Sequence, residues 1–228
     1  MQWLEAIILG LIQGLTEFIP ISSSGHLVIA QTFLSGASNH LFLEFVNIGT
    51  LLALLVFFRR KIWGIVIDIF VHRKFRLARN ILITSIPAGA VGFIFAGFIQ
   101  ATPFFASATV VAVTLAVVGI IMVIEKKLPH ASAVQDGEHL SVWRSLVIGG
   151  AQMVALIPGV SRSGATILAG RFSGLKADEA AEYSFLASIP IMLGVTLKIF
   201  ITDYAYLSAN MGTLIVFHLF AFISGLMG

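Results

Sequence analysis

The chain has 228 residues, 58% of them hydrophobic and only 11% charged, with a mean hydropathy of +0.99. A soluble domain of this length has too little interior to hide so much apolar side chain, and charge ordinarily makes up about a quarter of such a protein. Lipid must therefore be the solvent for most of the surface. The net charge of +3 comes without an aromatic-interleaved basic face, which excludes nucleic acid as a partner, and the lack of cysteine excludes disulfides.

In chain order, the first apolar stretch lacks a basic start and carries Glu5 and Glu17, so it does not read as a cleavable signal. It is interrupted at Pro20 and Ser22-Ser23-Ser24-Gly25-His26, then resumes to residue 34. Each half is shorter than the ~20 residues that cross a hydrocarbon core, and Pro and Gly break the helix between them. A re-entrant hairpin is expected over 3–34. A crossing follows at 41–58. The apolar run 62–71 is too short to span and is expected to lie on the membrane surface or extend a neighbour. Crossings at 80–100 and 104–124 precede a cytoplasmic loop, 125–142. A second broken stretch, 143–172, is interrupted at Pro158-Gly159 and Ser161-Arg162-Ser163-Gly164. Crossings at 183–200 and 211–228 complete the chain.

Shifting the sequence by 139 residues lays Gly10, Gln13, Ser22, Ser24, Gly25 and Ala30 on Gly149, Gln152, Ser161, Ser163, Gly164 and Ala169. This supports an internal repeat, 1–124 and 143–228, within one transmembrane domain. Arg59, Arg60, Lys61, Arg73, Lys74, Arg76 and Arg79 cluster between the first two crossings, and most other basic residues flank the second hairpin. The positive-inside rule puts these segments in the cytoplasm. Three crossings between the hairpins then invert the second relative to the first, so both broken loops should meet near the midplane, a transporter-like arrangement. The expected fold is all-α and polytopic, with inverted-topology repeats and a last crossing missing from the second.

Charged side chains at membrane depth cost about 2.5–3.5 kcal/mol each on insertion scales, so Glu17, His26 and Arg162 call for a reason. Arg162 offers a planar fork matched to phosphate oxygens. Gly25 and Gly164 stand where a helix begins, and helix starts aim amides at anions. Gln13 and Glu17 share a helix face at i, i+4. Glu17 could meet a phosphate through a divalent cation. Ser23 and His26, three residues apart, could act as nucleophile and base. Together these suit phosphoryl transfer. Other readings stay open: Ser22, Ser23 and Ser24 as helix caps, His26 as a structural histidine, Arg162 bridging Glu17, and Thr166 bonding back to its own helix. In the first crossing Glu44 and Asn47 could line the cavity, with helix–helix hydrogen bonding favoured for Asn47. The same architecture also builds lipid translocators and secondary transporters; an intramembrane protease leaves Arg162 without a task.

Gln13-Gly-Leu-Thr-Glu17-Phe-Ile-Pro20-Ile-Ser22-Ser23-Ser24-Gly25-His26 and Pro158-Gly159-Val160-Ser161-Arg162-Ser163-Gly164 resemble the two signatures of bacterial undecaprenyl-diphosphate phosphatases of the bacitracin-resistance type. The resemblance covers essentially the whole chain. It implies a plasma-membrane enzyme of six crossings and two hairpins, with an active site open to the outer face. It implies hydrolysis of undecaprenyl diphosphate, recycling the carrier lipid, with stimulation by Mg²⁺ or Ca²⁺. By position it implies Glu17, Ser23, His26 and Arg162 as catalytic residues, with Glu17 the metal ligand. Gln13, Ser22, Ser24, Gly25, Ser161, Ser163, Gly164 and Thr166 are expected to bind substrate. Membrane lipid surrounds the chain, and the sequence leaves a homodimer open. The scheme expected has Arg162 gripping the diphosphate, Ser23 attacking the terminal phosphorus, His26 relaying the proton and Glu17 holding a cation or steering water. His26 as the nucleophile is the variant of it.

Overall fold

A computed structural model describes residues 2–35, 42, 45–102, 104, 107–125, 127 and 133–227. The helices among them are α1 (Trp3–Glu17), α2 (Ser23–Ser35), α3 (Asn47–Phe57), α4 (Arg59–Phe70), α5 (Arg76–Ile94), α6 (Ala96–Ala101), α7 (Ala108–Glu125), α8 (Val142–Val154), α9 (Arg162–Phe172), α10 (Ala177–Thr202), α11 (Tyr204–Ala209) and α12 (Met211–Gly225). A 3₁₀ turn, Gly137–His139, precedes α8. No strand occurs among the described residues. The fold is an all-α membrane protein.

Three helices, α5, α7 and α10, are long and apolar enough to cross a membrane. Their bounds differ from those expected. The third crossing starts at Ala108, and α5 begins at Arg76 and breaks at Phe95, where α6 takes over. The start of α10 is six residues earlier than expected because Asp178 and Glu179 occupy its first turn. Acidic groups there meet the positive end of the helix dipole, so they belong to the helix although they end the apolar run. Within the crossing expected at 41–58, α3 runs from Asn47 to Phe57, and Phe42 and Phe45 before it are also helical. That expected at 211–228 is helical to Gly225. Residues 36–41, 43 and 44, with Glu44 among them, lie outside the described set. The short apolar run 62–71 falls largely in a separate helix, α4, which starts three residues earlier at Arg59 and buries no side chain.

Exposed apolar side chains such as Leu197, Ile120, Ile215 and Phe93 stud the long helices. With water outside, a surface like this would be an association site; in lipid it is simply solvated. Two apolar clusters form the interior. One joins Leu51, Leu54, Ile81, Ile148, Leu186 and Met192. The other joins Ala6, Leu9, Leu27, Phe42, Phe45 and Phe217. Because lipid provides no hydrophobic drive between helices, contacts rest on small residues and polar bonds. Thr84 Oγ1 lies 2.7 Å from Tyr183 Oη and donates to the Ser145 carbonyl at 3.0 Å, and Ser85 Oγ donates to the Ala187 carbonyl at 2.9 Å. These bonds lash α5 to α8 and α10.

The first arm of each hairpin packs on a helix from the other half of the chain, α1 on α12 and α8 on α5. Both approaches need glycine. A Cβ on Gly10 would lie 2.5 Å from the Phe217 carbonyl, and one on Gly149 would lie 2.7 Å from the Thr84 carbonyl. At Gly14 the approach is tighter still, with Ser224 Oγ 1.9 Å and the Ala221 carbonyl 2.4 Å from an added Cβ. Gly14→Val is therefore expected to push α1 off α12, at a cost of about 1–3 kcal/mol or more. Thermal unfolding in detergent should show a clearly lowered Tm; a Tm equal to the parent's would refute the close packing.

Candidate active site

The two hairpin turns use the same short bonds. In the first, Ser22 Oγ accepts from the Gly25 amide at 3.4 Å and lies 3.3 Å from Ser24 Oγ. In the second, Ser161 Oγ accepts from the Gly164 amide at 3.0 Å and lies 3.1 Å from Ser163 Oγ. These are N-cap bonds. The expected position of Gly25 and Gly164 just before a helix is corrected: α2 and α9 begin at Ser23 and Arg162, and the two glycine amides bond the capping serines. Any amides offered to an anion are those one or two residues earlier, at the helix starts.

The turns themselves differ. Ser22 has φ +64°, a left-handed conformation costly for a residue with a Cβ. Its carbonyl accepts from the His26 amide at 3.2 Å and contacts His26 Nδ1 at 2.8 Å. A carbonyl can only accept, so Nδ1 carries a proton. His26 thus clamps the strained serine. In the second turn Gly159 takes φ +83°. A Cβ there would strike Thr114 Oγ1 at 2.1 Å, and that hydroxyl lies 2.6 Å from the Pro158 carbonyl. Helix α7 thereby seats the turn that carries Arg162.

The hairpins meet across a chamber of about 160 Å³ lined by Glu17, Ser22, Ser23, Ser24, Asn47, Ala155, Val160, Ser161, Arg162 and Ser163. Its centre is the Glu17 carboxylate, on a residue only 8% exposed. One oxygen accepts from Arg162 Nη2. The other accepts from Ser23 Oγ at 2.5 Å and from Gln13 Nε2 at 3.0 Å. Glu17 closes the C-terminus of α1 and Arg162 opens the N-terminus of α9. Each charge stands at the unfavourable end of its helix dipole, and each is neutralised by the other across 145 residues of sequence. This chain of hydroxyl, carboxylate and guanidinium can bind phosphate and accept a proton from Ser23.

Seven of the expected site residues line the chamber: Glu17, Ser22, Ser23, Ser24, Ser161, Arg162 and Ser163. The others sit elsewhere. Gln13 is fully buried behind the chamber, bonding Glu17 and, at 3.4 Å, Thr50 Oγ1; it aims the carboxylate and does not reach the cavity. The buried hydroxyl of Thr166 bonds the Arg162 carbonyl at 2.8 Å, the backward bond to its own helix left open by the sequence, and Ser184 Oγ, fastening α9 to α10. The Ser23–His26 pairing expected from spacing is also corrected. Both stand in the first turn of α2, but Ser23 bonds Glu17 and His26 bonds the Ser22 backbone. Asn47 lines the chamber instead of serving helix contacts. The signal was there, since an amide inside the crossing expected at 41–58 is a polar group at membrane depth.

Among the described residues no group of three or more His, Cys, Asp or Glu side chains could hold a metal ion alone. One carboxylate is nevertheless enough for Mg²⁺, which takes one or two together with substrate phosphates. The donor set fits an ion shared between Glu17 and a bound diphosphate. It does not fit a resident metal in a protein cage.

Residues 6–228 match the family model described as "Bacitracin resistance protein BacA". The chain is 39% identical to the undecaprenyl-diphosphatase of Clavibacter michiganensis subsp. michiganensis, covering 99% of this chain and 85% of that one. It is 37% identical to the undecaprenyl-diphosphatase of Syntrophotalea carbinolica, over 99% and 87%. To undecaprenyl-diphosphatase 2 of Paramagnetospirillum magneticum the identity is 35%, over 98% and 86%.

Proposed function

The chain belongs to the bacitracin resistance protein BacA family, and on that premise we propose that it is a membrane phosphatase that hydrolyses undecaprenyl diphosphate to undecaprenyl phosphate and inorganic phosphate. The reaction recycles the lipid carrier for cell-wall synthesis and underlies resistance to bacitracin. The observation that carries the reading is the bond from Ser23 Oγ to a Glu17 carboxylate that also holds Arg162.

In the proposed scheme the diphosphate enters the chamber between the two helix starts. Arg162 uses one nitrogen on Glu17, and the other guanidinium donors take oxygens of the terminal phosphoryl group. Ser23 Oγ attacks the terminal phosphorus and passes its proton to Glu17. The bridging P–O bond breaks, undecaprenyl phosphate departs, and water then hydrolyses the serine phosphate. His26 contributes by holding the Ser22 turn, so that Ser23 faces Glu17. Mg²⁺ or Ca²⁺, held by Glu17 and the substrate, would neutralise charge on the diphosphate oxygens. We place the protein in the bacterial plasma membrane, with its basic loops in the cytoplasm, its repeats inverted and its chamber open to the outer face; the charge distribution supports this.

Purified protein supplied with undecaprenyl diphosphate should release inorganic phosphate, and a chelator should abolish most of that release. Lipid exchange between leaflets without phosphate release would replace this reading with a translocator. Unchanged release in chelator would remove the cation.

A further inference from the structure

The chamber takes a headgroup and has no room for a prenyl chain. A second cavity, of about 640 Å³, lies between α5 and α10. Its lining is apolar except for Ser85 and Lys198, and the Ser85 hydroxyl is already spent on the Ile81 and Ala187 carbonyls. It is concave because Gly89, Gly92 and Gly194 supply no side chains, and the helices carry internal Pro87 and Pro190. Along α5 it extends from Leu82 to Phe93, roughly 16 Å at a helical rise, and Ala96 and Ile99 of α6 continue its lining.

The groove and the chamber have lining residues adjacent in sequence. Ala155 lines the chamber and its neighbour Leu156 lines the groove. Leu156 lies 3.6 Å from where a Cβ on Gly92 would stand. We infer that this groove is the binding track for the prenyl chain of the diphosphate whose head sits in the chamber. The inference rests on the proposed phosphatase reading. Any bilayer lipid could brush an apolar groove, but a chain tethered to an anchored headgroup competes at a far higher effective concentration. The same track sets chain-length preference: a longer chain covers more of the groove, while the chemistry at Ser23 is unchanged.

Leucine at Gly89 or Gly194 tests it. An added Cβ meets no heavy atom within 4 Å at either position, so the variants should fold while filling the track. The preference for undecaprenyl over farnesyl diphosphate, as the ratio of kcat/KM, should fall by about tenfold or more. The change should lie in KM for the long chain, with kcat preserved. Unchanged preference in an active protein would overturn the groove, as would equal damage to both substrates. A wild-type protein that releases phosphate from neither would instead overturn the phosphatase reading. For that case the groove is read without turnover, by a photoreactive prenyl diphosphate. It should label peptides of α5 and α10 and be displaced by undecaprenyl diphosphate. A photoreactive phospholipid labelling them equally would identify the occupant as bulk lipid and refute the track.

Discussion

Arg162→Ala is expected to slow phosphate release by about three orders of magnitude, the scale seen when an arginine that carries phosphoryl charge is removed. It should also destabilise the fold, because it strands the buried Glu17 carboxylate that Arg162 neutralises. Breaking one side of a buried pair costs about 3–5 kcal/mol. Arg162→Lys separates the two effects. Lysine restores the charge but not the planar fork, so thermal stability in detergent should largely return while turnover stays well below the parent. Parental turnover in Arg162→Ala would remove Arg162 from the reaction. Full recovery of turnover in Arg162→Lys would show that charge alone matters.

Ser23→Ala should lose at least about a thousandfold in turnover, since it deletes the attacking oxygen. Glu17→Gln should approach the same floor, because residues that act as a unit are not additive. The double variant should then be little worse than either single one. Quenching the wild-type reaction in neutral denaturant and mapping phosphate by mass spectrometry should place it on the Ser23 peptide. A neutral quench matters because acid would strip a phosphohistidine. Phosphate on His26 would reassign the nucleophile to its Nε2, since Nδ1 is held by the Ser22 carbonyl. Phosphate on neither residue, with Glu17→Gln inactive, would leave direct attack by a Glu17-activated water.

Much of this site was legible in the sequence because bilayers make polar residues conspicuous. Glu17 and Arg162 stood out by their cost in lipid, and the matched Ser-x-Ser-Gly runs marked both turns. Hidden from sequence was the direction each side chain takes. Spacing put Ser23 and His26 on one turn, and α2 does begin at Ser23, but spacing could not show that Glu17 takes the serine hydroxyl and the Ser22 carbonyl takes the imidazole. Thr166 follows Arg162 at i+4, so it shares that face of α9, yet its hydroxyl is claimed by Ser184 on α10, a contact no local pattern announces. Helix ends were misjudged where charge and helix overlap, as at Asp178 and Glu179. The tail groove left no motif at all. It comes from what α5 and α10 lack.

The glycine-lined seam between α1 and α12 bears on how the protein is made. Ser224 Oγ reaches the Gly10 carbonyl at 3.4 Å across 214 positions of sequence. At a synthesis rate of about 5–20 residues per second, the leading hairpin waits on the order of ten to forty seconds for that partner. Glu17 has no Arg162 until 145 residues later, α1 has no covering helix until α12 emerges, and a nascent segment this polar is poorly held by lipid alone. Insertion machinery must shelter it, or it must linger at the interface and slip inward last. Maturation of the catalytic pocket is thereby coupled to the emergence of residues far downstream.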